Sequence, residues 1–148
     1  MKTIFGSVVL ATLLCITPAQ VRAHGAGIEW ETLNQAALEL ERTGQYDRAL
    51  KVAKAALQVA EQNVGPDHPD VADSLIGLAL LYQTQGDHAK AEPLFKRALA
   101  ILEKALGPDH PNVATLLDNL AKLYRATKRI NEAEKLEERA KQIRAIKP

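Results

Sequence analysis

From Leu75 onward the apolar residues recur at intervals of three and four. Leu75, Leu78, Ala79 and Tyr82 form one stripe, and Ala91, Leu94, Phe95, Ala98, Leu99, Ile101 and Leu102 form a second. This is the period of an amphipathic helix, not the alternation of a half-buried strand. Two helices are predicted, joined by a turn at Gln85-Gly86-Asp87, where Gly86 can take the left-handed conformation that closes a helix.

The same arrangement occurs three times. Gly65-Pro66-Asp67-His68-Pro69 returns as Gly107-Pro108-Asp109-His110-Pro111, a displacement of 42 residues. That shift also aligns Leu33, Leu75 and Leu117; Ala37, Ala79 and Ala121; Ala49, Ala91 and Ala133; and Ala56, Ala98 and Ala140. The chain therefore divides into units at about 30–71, 72–113 and 114–148. Gly44 matches Gly86, and Lys128 replaces it in the third unit. Gly65 and Gly107 are expected to end the second helices, with Pro69 and Pro111 in the first turn of the next. Asp70 puts negative charge where that helix dipole favours it. Asp67 and Asp109 are expected to accept backbone N–H bonds near the helix start. Pro93 is expected within about the first turn of its helix, where the missing N–H matters little. Gly77 lies inside a predicted helix, where it costs about 1 kcal/mol against alanine.

Leu75, Leu78, Ala79, Tyr82, Gly86, Ala91, Phe95 and Ala98 together resemble the tetratricopeptide repeat. The 42-residue period and the Gly-Pro-Asp-His-Pro link are similar to the long repeats of kinesin light chains. The likeness covers about residues 30–146. It implies an all-α, right-handed superhelical solenoid of three helix-turn-helix repeats that binds a protein or peptide, with no cofactor and no catalysis. Where the second unit has Phe95, Leu99 and Leu102, the third has Glu137, Lys141 and Arg144. Those positions would cover a following hairpin, so the charges predict a polar closing face and an array that is complete there. Glu137 and Lys141 have the spacing of an i,i+4 pair.

Composition agrees with a helical repeat. Apolar residues make up 47% of the 148 and aromatic ones only 4%, so alanine and leucine must fill the core at close helix approach. The first 23 residues stand apart and read as a secretory signal peptide: Lys2, an uncharged apolar run from Ile4 to Ile16, Pro18, and the Val21/Ala23 cleavage pattern. Cleavage is expected after Ala23, with 24–29 a flexible lead-in and a periplasmic or extracellular product. An uncleaved leader acting as an anchor is the alternative. Leu14 before Cys15 does not suit a lipoprotein site. Loss of Lys2 and Arg22 leaves 17 basic and 18 acidic side chains and no cysteine. That balance gives no footprint for nucleic acid or an anionic membrane, and it excludes disulfides and thiolate chemistry.

Candidate chemistry is sparse. Asp67-His68 and Asp109-His110 combine metal-ligating residue types, but each sits at a structural joint with too few ligands, which favours a role in the turn. His24, as a new N-terminus, could hold copper through its amine and ring, yet no partner histidine is placed to complete a site. There is no glycine-rich phosphate loop and no nucleophile elbow. The carboxylates Glu39, Glu41 and Glu132 to Glu138 fit solvated helix faces.

If the family geometry holds, the first helix of each unit lines a concave groove. Its outward positions are Asn34, Leu38 and Glu41; Asp73, Ile76, Leu80 and Gln83; and Thr115, Asp118, Asn119, Lys122 and Arg125. The expected partner site comprises Asn34, Leu38, Ile76, Leu80, Gln83, Asn119, Lys122 and Arg125. Leu38, Ile76 and Leu80 would take the apolar face of a partner segment, and Lys122 and Arg125 would meet acidic groups beside it. In relatives that clamp the carboxylate end of chaperone tails, lysine, asparagine and arginine line the groove. The matching positions Asn34, Leu38, Gly77, Thr115 and Asn119 hold no cation, so no such clamp is expected. Two further readings stay open: an envelope assembly module pairing with itself around Trp30, Leu33 and Ala36, as a monomer or weak homo-oligomer, and a metal-binding or enzymatic accessory protein.

Overall fold

The computed structural model describes residues 29–146. The expected signal peptide and its cleavage site lie outside the described residues, as does the lead-in up to residue 28. Six helices follow in order among the described residues: α1 (Glu29–Arg42), α2 (Tyr46–Val64), α3 (Pro69–Thr84), α4 (His88–Leu106), α5 (Pro111–Ala126) and α6 (Ile130–Ala145). They form the hairpins α1/α2, α3/α4 and α5/α6, each stacked on the next. This is the all-α helical repeat expected from the 42-residue period.

Small residues set the spacing within each hairpin. Ala49, Ala91, Ala133, Ala56, Ala98 and Ala140 are all fully buried. With no side chain beyond Cβ, these columns let paired helices approach closely, and leucines fill the flanks. Phe95 and Leu102 on α4 are buried beneath the third hairpin, and Leu99 is half-buried beside them.

Each hairpin turn is closed by a Schellman arrangement. The N–H groups of Gln45, Asp87 and Arg129 donate to the carbonyls of Leu40, Tyr82 and Tyr124 at 2.8, 2.9 and 2.8 Å. The residue before each lies in left-handed space: Gly44 at φ 75°, Gly86 at 77° and Lys128 at 63°. Lys128 holds a glycine's place with a Cβ, at a cost of roughly 1 kcal/mol or more. The links between hairpins need glycine more strictly. Gly65 (φ 88°, ψ 162°) and Gly107 (φ 93°, ψ 153°) occupy a region closed to other residues.

Two expectations about these links are corrected. Helix starts α3 and α5 are capped by histidine, not aspartate: Nδ1 of His68 accepts from the Asp70 N–H at 3.2 Å, and Nδ1 of His110 from the Asn112 N–H at 3.1 Å. Asp67 points elsewhere, to Lys104 Nζ at 2.8 Å. Pro93 is the sixth residue of α4, so it removes an interior hydrogen bond to the Ala89 carbonyl. Both residues are exposed, which leaves that carbonyl open to water.

A clamp repeats with the same 42-residue period. Arg97 pairs with Glu61 at 2.7 Å and donates to the Pro66 carbonyl at 3.2 Å. Arg139 does the same with Glu103 at 2.6 Å and with Pro108 at 3.2 Å. Each ties a second helix to the preceding one and to the link that follows it.

The end faces depart from the middle. At α5/α6, Glu137 pairs with Arg125 through two contacts of 2.7 and 2.6 Å, in place of the expected Lys141 partner. Arg144 pairs with Asp118. The equivalent residues one repeat earlier are Phe95, Gln83, Leu102 and Ile76. At the other end, Val71, Leu78 and Leu81 are buried on the side of α3 that meets the first hairpin, and the equivalents on α1 are Glu29, Ala36 and Glu39. Both outer faces have therefore exchanged aliphatic side chains for charged or small ones.

Candidate partner-binding face

The first helices α1, α3 and α5 leave one face open. On α3, with Val71, Ser74, Leu75, Leu78, Ala79 and Tyr82 all buried, the residues left to solvent are Asp73, Leu80 and Thr84. Displaced by one repeat in either direction, these positions are Glu31, Leu38 and Arg42 on α1 and Thr115, Lys122 and Ala126 on α5. All six are exposed.

Leu38, Leu80 and Lys122 thus stand in one column across three helices. Leu38 is 61% exposed and Leu80 36%. Gly77 lies one turn from Leu80, and a Cβ built on it would meet nothing within 4 Å, so the helix backbone forms the floor of a notch there. Asp73 lies one turn further. Desolvation, with the charge of Asp70 nearby, pushes its carboxyl above the ordinary value, although the residue is exposed.

The other expected residues are placed differently. Ile76 is half-buried and packs against the core between hairpins. Asn34 is half-buried, and its Nδ2 donates to Ser74 Oγ at 3.3 Å across the joint between α1 and α3. Gln83 and Asn119 are half-buried. Arg125 is engaged by Glu137, which holds that carboxyl below its usual range. Glu41 accepts from the Thr84 hydroxyl at 3.5 Å. Of the eight expected site residues, Leu38, Leu80 and Lys122 are exposed and have no ion pair among the described residues. Glu31 was missed, although its position seven residues before Leu38 puts it on the same helix face.

Trp30, Leu33 and Ala36, considered for self-pairing, are half-buried. Among the described residues no group of three or more histidine, cysteine, aspartate or glutamate side chains could hold a metal ion. No helix of the described residues is long and apolar enough to cross a membrane.

The tetratricopeptide repeat pattern matches residues 31–104 and 81–145. No curated protein matches the sequence. Solved structures do. BtubC (BKLC) from P. vanneervenii superimposes with a TM-score of 0.77 at 24% identity, covering 83% of this chain and 48% of that one. A Podosopora anserina kinesin light chain protein with nearly identical TPR-like repeats gives 0.72 at 25% identity, covering 83% and 57%. The TPR domain of Arabidopsis FLU gives 0.68 at 18% identity, covering 78% and 94%. The chain thus spans about half the length of the first two. With the pattern matched across all three hairpins, the chain belongs to the tetratricopeptide repeat family.

Proposed function

We propose that this protein is an exported scaffold that holds another polypeptide along the open face of α1, α3 and α5 and carries out no chemistry of its own. Family membership supports the coarse part of this reading, since tetratricopeptide repeat proteins are protein-interaction scaffolds. The observation that carries the rest is the pair Leu38 and Leu80, two large apolar side chains offered to water at the same position of successive repeats. Exposed leucines in register are a recurring way to take the apolar face of a peptide.

Their contribution is bounded. Fully burying a leucine contributes about 1.5–3 kcal/mol, and these two are already partly covered, so together they supply roughly 2–4 kcal/mol. A micromolar complex needs about 8 kcal/mol. Polar neighbours on the same face must supply the difference.

Export rests on the leader pattern of residues 1–23. Mass spectrometry of the exported protein should find a chain beginning at His24; an intact Met1 form held in the membrane would replace export by anchoring. The binding reading is tested with residues 24–148 as bait in an extract of the native cell envelope, beside a Leu38→Asp/Leu80→Asp variant. This bait contains every core residue among the described ones. The variant should lose the captured partner while its helical circular dichroism stays unchanged. Capture that survives the double substitution removes this face from the reading.

A further inference from the structure

Around the open face several charged groups are already paired with one another. Arg42 holds Glu39 at 2.7 Å, Arg125 holds Glu137, and Arg144 holds Asp118. Glu41 has only a 3.5 Å contact from the Thr84 hydroxyl, and the His68 Nδ1 beside Asp70 accepts the Asp70 N–H, so neither carboxylate is neutralised by a cation. Among the described residues, the exposed charges Glu31, Asp73 and Lys122 on that face likewise have no ion pair. Glu31 and Asp73 occupy one column of successive repeats, and Leu38 and Leu80 occupy the column two turns along the same helices. Internal pairing thus leaves a strip of two leucines edged by two free carboxylates, with a single free ammonium where the third repeat continues the leucine column.

Resting on the reading that this face is the binding site, we infer that its occupant is a cationic amphipathic peptide segment. Its apolar side chains lie on Leu38 and Leu80 and over the Gly77 notch, and its lysines or arginines meet Glu31 and Asp73. Three features select this class. An anionic segment would set like charges against Glu31, Asp73 and Asp70, at a cost that grows as water leaves the face. A purely apolar segment would bury the Glu31 and Asp73 carboxylates without a counter-charge. The absence of a side chain at Gly77 gives room for one bulky residue between the carboxylate column and the leucine column. Lys122 fixes direction, because an acidic group or terminal carboxylate of the peptide is accommodated only at the third repeat.

The probes are two synthetic amphipathic helices of about 18 residues, five turns, one of leucine and lysine and the other of leucine and glutamate. Each is titrated by fluorescence anisotropy against residues 24–148. The leucine/lysine peptide should bind, more weakly as salt rises, and the leucine/glutamate peptide should not. Glu31→Lys/Asp73→Lys should weaken the leucine/lysine peptide by at least about tenfold, the scale of two lost charge contacts on a partly desolvated face. Glu138→Lys, an exposed position of α6, should leave it unchanged. Equal binding of both peptides, no binding of either, or indifference to the Glu31/Asp73 reversal overturns the inference. Leu80→Asp separates the two levels. If it abolishes binding while the charge reversal does not, only the cationic assignment fails; if binding ignores Leu80→Asp, the face itself is wrong.

Discussion

Arg125 and Glu137 face each other across the last hairpin through two parallel contacts of 2.7 and 2.6 Å, where the preceding repeat has Gln83 and Phe95. Arg144 and Asp118 repeat the substitution in place of Leu102 and Ile76. Exposed ion pairs of this kind add little stability. Their effect is on what can stack there, since a hydrophobic helix laid on them would strand charges away from water.

Restoring the middle-repeat residues should therefore create a sticky end. The variant Asp118→Ile/Arg125→Gln/Glu137→Phe/Arg144→Leu presents an apolar stacking surface like the one α5 and α6 cover on the second hairpin. It is expected to self-associate with increasing concentration in light scattering while keeping its helical circular dichroism. A variant whose light scattering follows that of the native chain at every concentration would show that these charges do not govern stacking.

Lys128 carries a Cβ into left-handed space that Gly44 and Gly86 enter freely. Lys128→Gly should stabilise the fold by about 1 kcal/mol, a rise of a few degrees in Tm for a domain of this size. Gly65→Ala should do the reverse and cost roughly 1–3 kcal/mol, because φ 88° with ψ 162° is closed to alanine although open space surrounds the site. Urea unfolding of both variants checks the pair. A destabilised Lys128→Gly would mean that the lysine side chain contributes more than its backbone costs.

His68 and His110 cap α3 and α5 with their Nδ1 atoms, while Asp67 reaches across to Lys104 in an exposed pair. His68→Ala should cost about 1 kcal/mol, with His68→Asn restoring most of it, since asparagine caps well. Asp67→Ala should change stability little, being one exposed pair. The opposite order in urea denaturation would return the capping role to aspartate.

That exchange of roles marks where the sequence stops being readable. Columns at a 42-residue displacement made the hairpins, the Gly86 turn and the buried alanines legible, because each depends only on residue type and helical period. Whether histidine or aspartate caps a link depends on which side chain turns back on its own backbone, and two adjacent candidates gave no rule. Arg125 was expected to be free because its partner lies twelve residues on, beyond the i,i+4 spacing that suggested Lys141 for Glu137. The same gap made Ile76 look available, when it is half-buried against the core. Glu29 and Glu39 could have been found, since the columns that give Val71 and Leu81 lead directly to them. The exposure of Leu38, Leu80 and Lys122 was thus legible from the columns, whereas the pairing of Arg125 with Glu137 was not.

Glu92 joins the second and third hairpins and sets the acid limit of the fold. Burial alone would raise its carboxyl, but contacts from Lys96 at 2.6 Å, Arg129 at 2.8 Å and the Tyr124 hydroxyl at 3.1 Å outweigh that and hold it below the ordinary value. A carboxylate depressed in the folded state adds stability above its unfolded pKa and loses it as pH falls through the folded one. Stability should therefore be level from neutrality down to about pH 4.3, the unfolded glutamate value, and decline below it. Glu132, Glu137 and Glu39, also held low by arginines, act in the same direction. Glu92→Gln should cost on the order of 1 kcal/mol at neutral pH, since it leaves Arg129 and Lys96 with weaker acceptors. It should also make the acid decline shallower than in the native chain. Thermal unfolding of both proteins from pH 7 to pH 3 tests the sign: parallel declines would show that Glu92 titrates alike in the folded and unfolded chain.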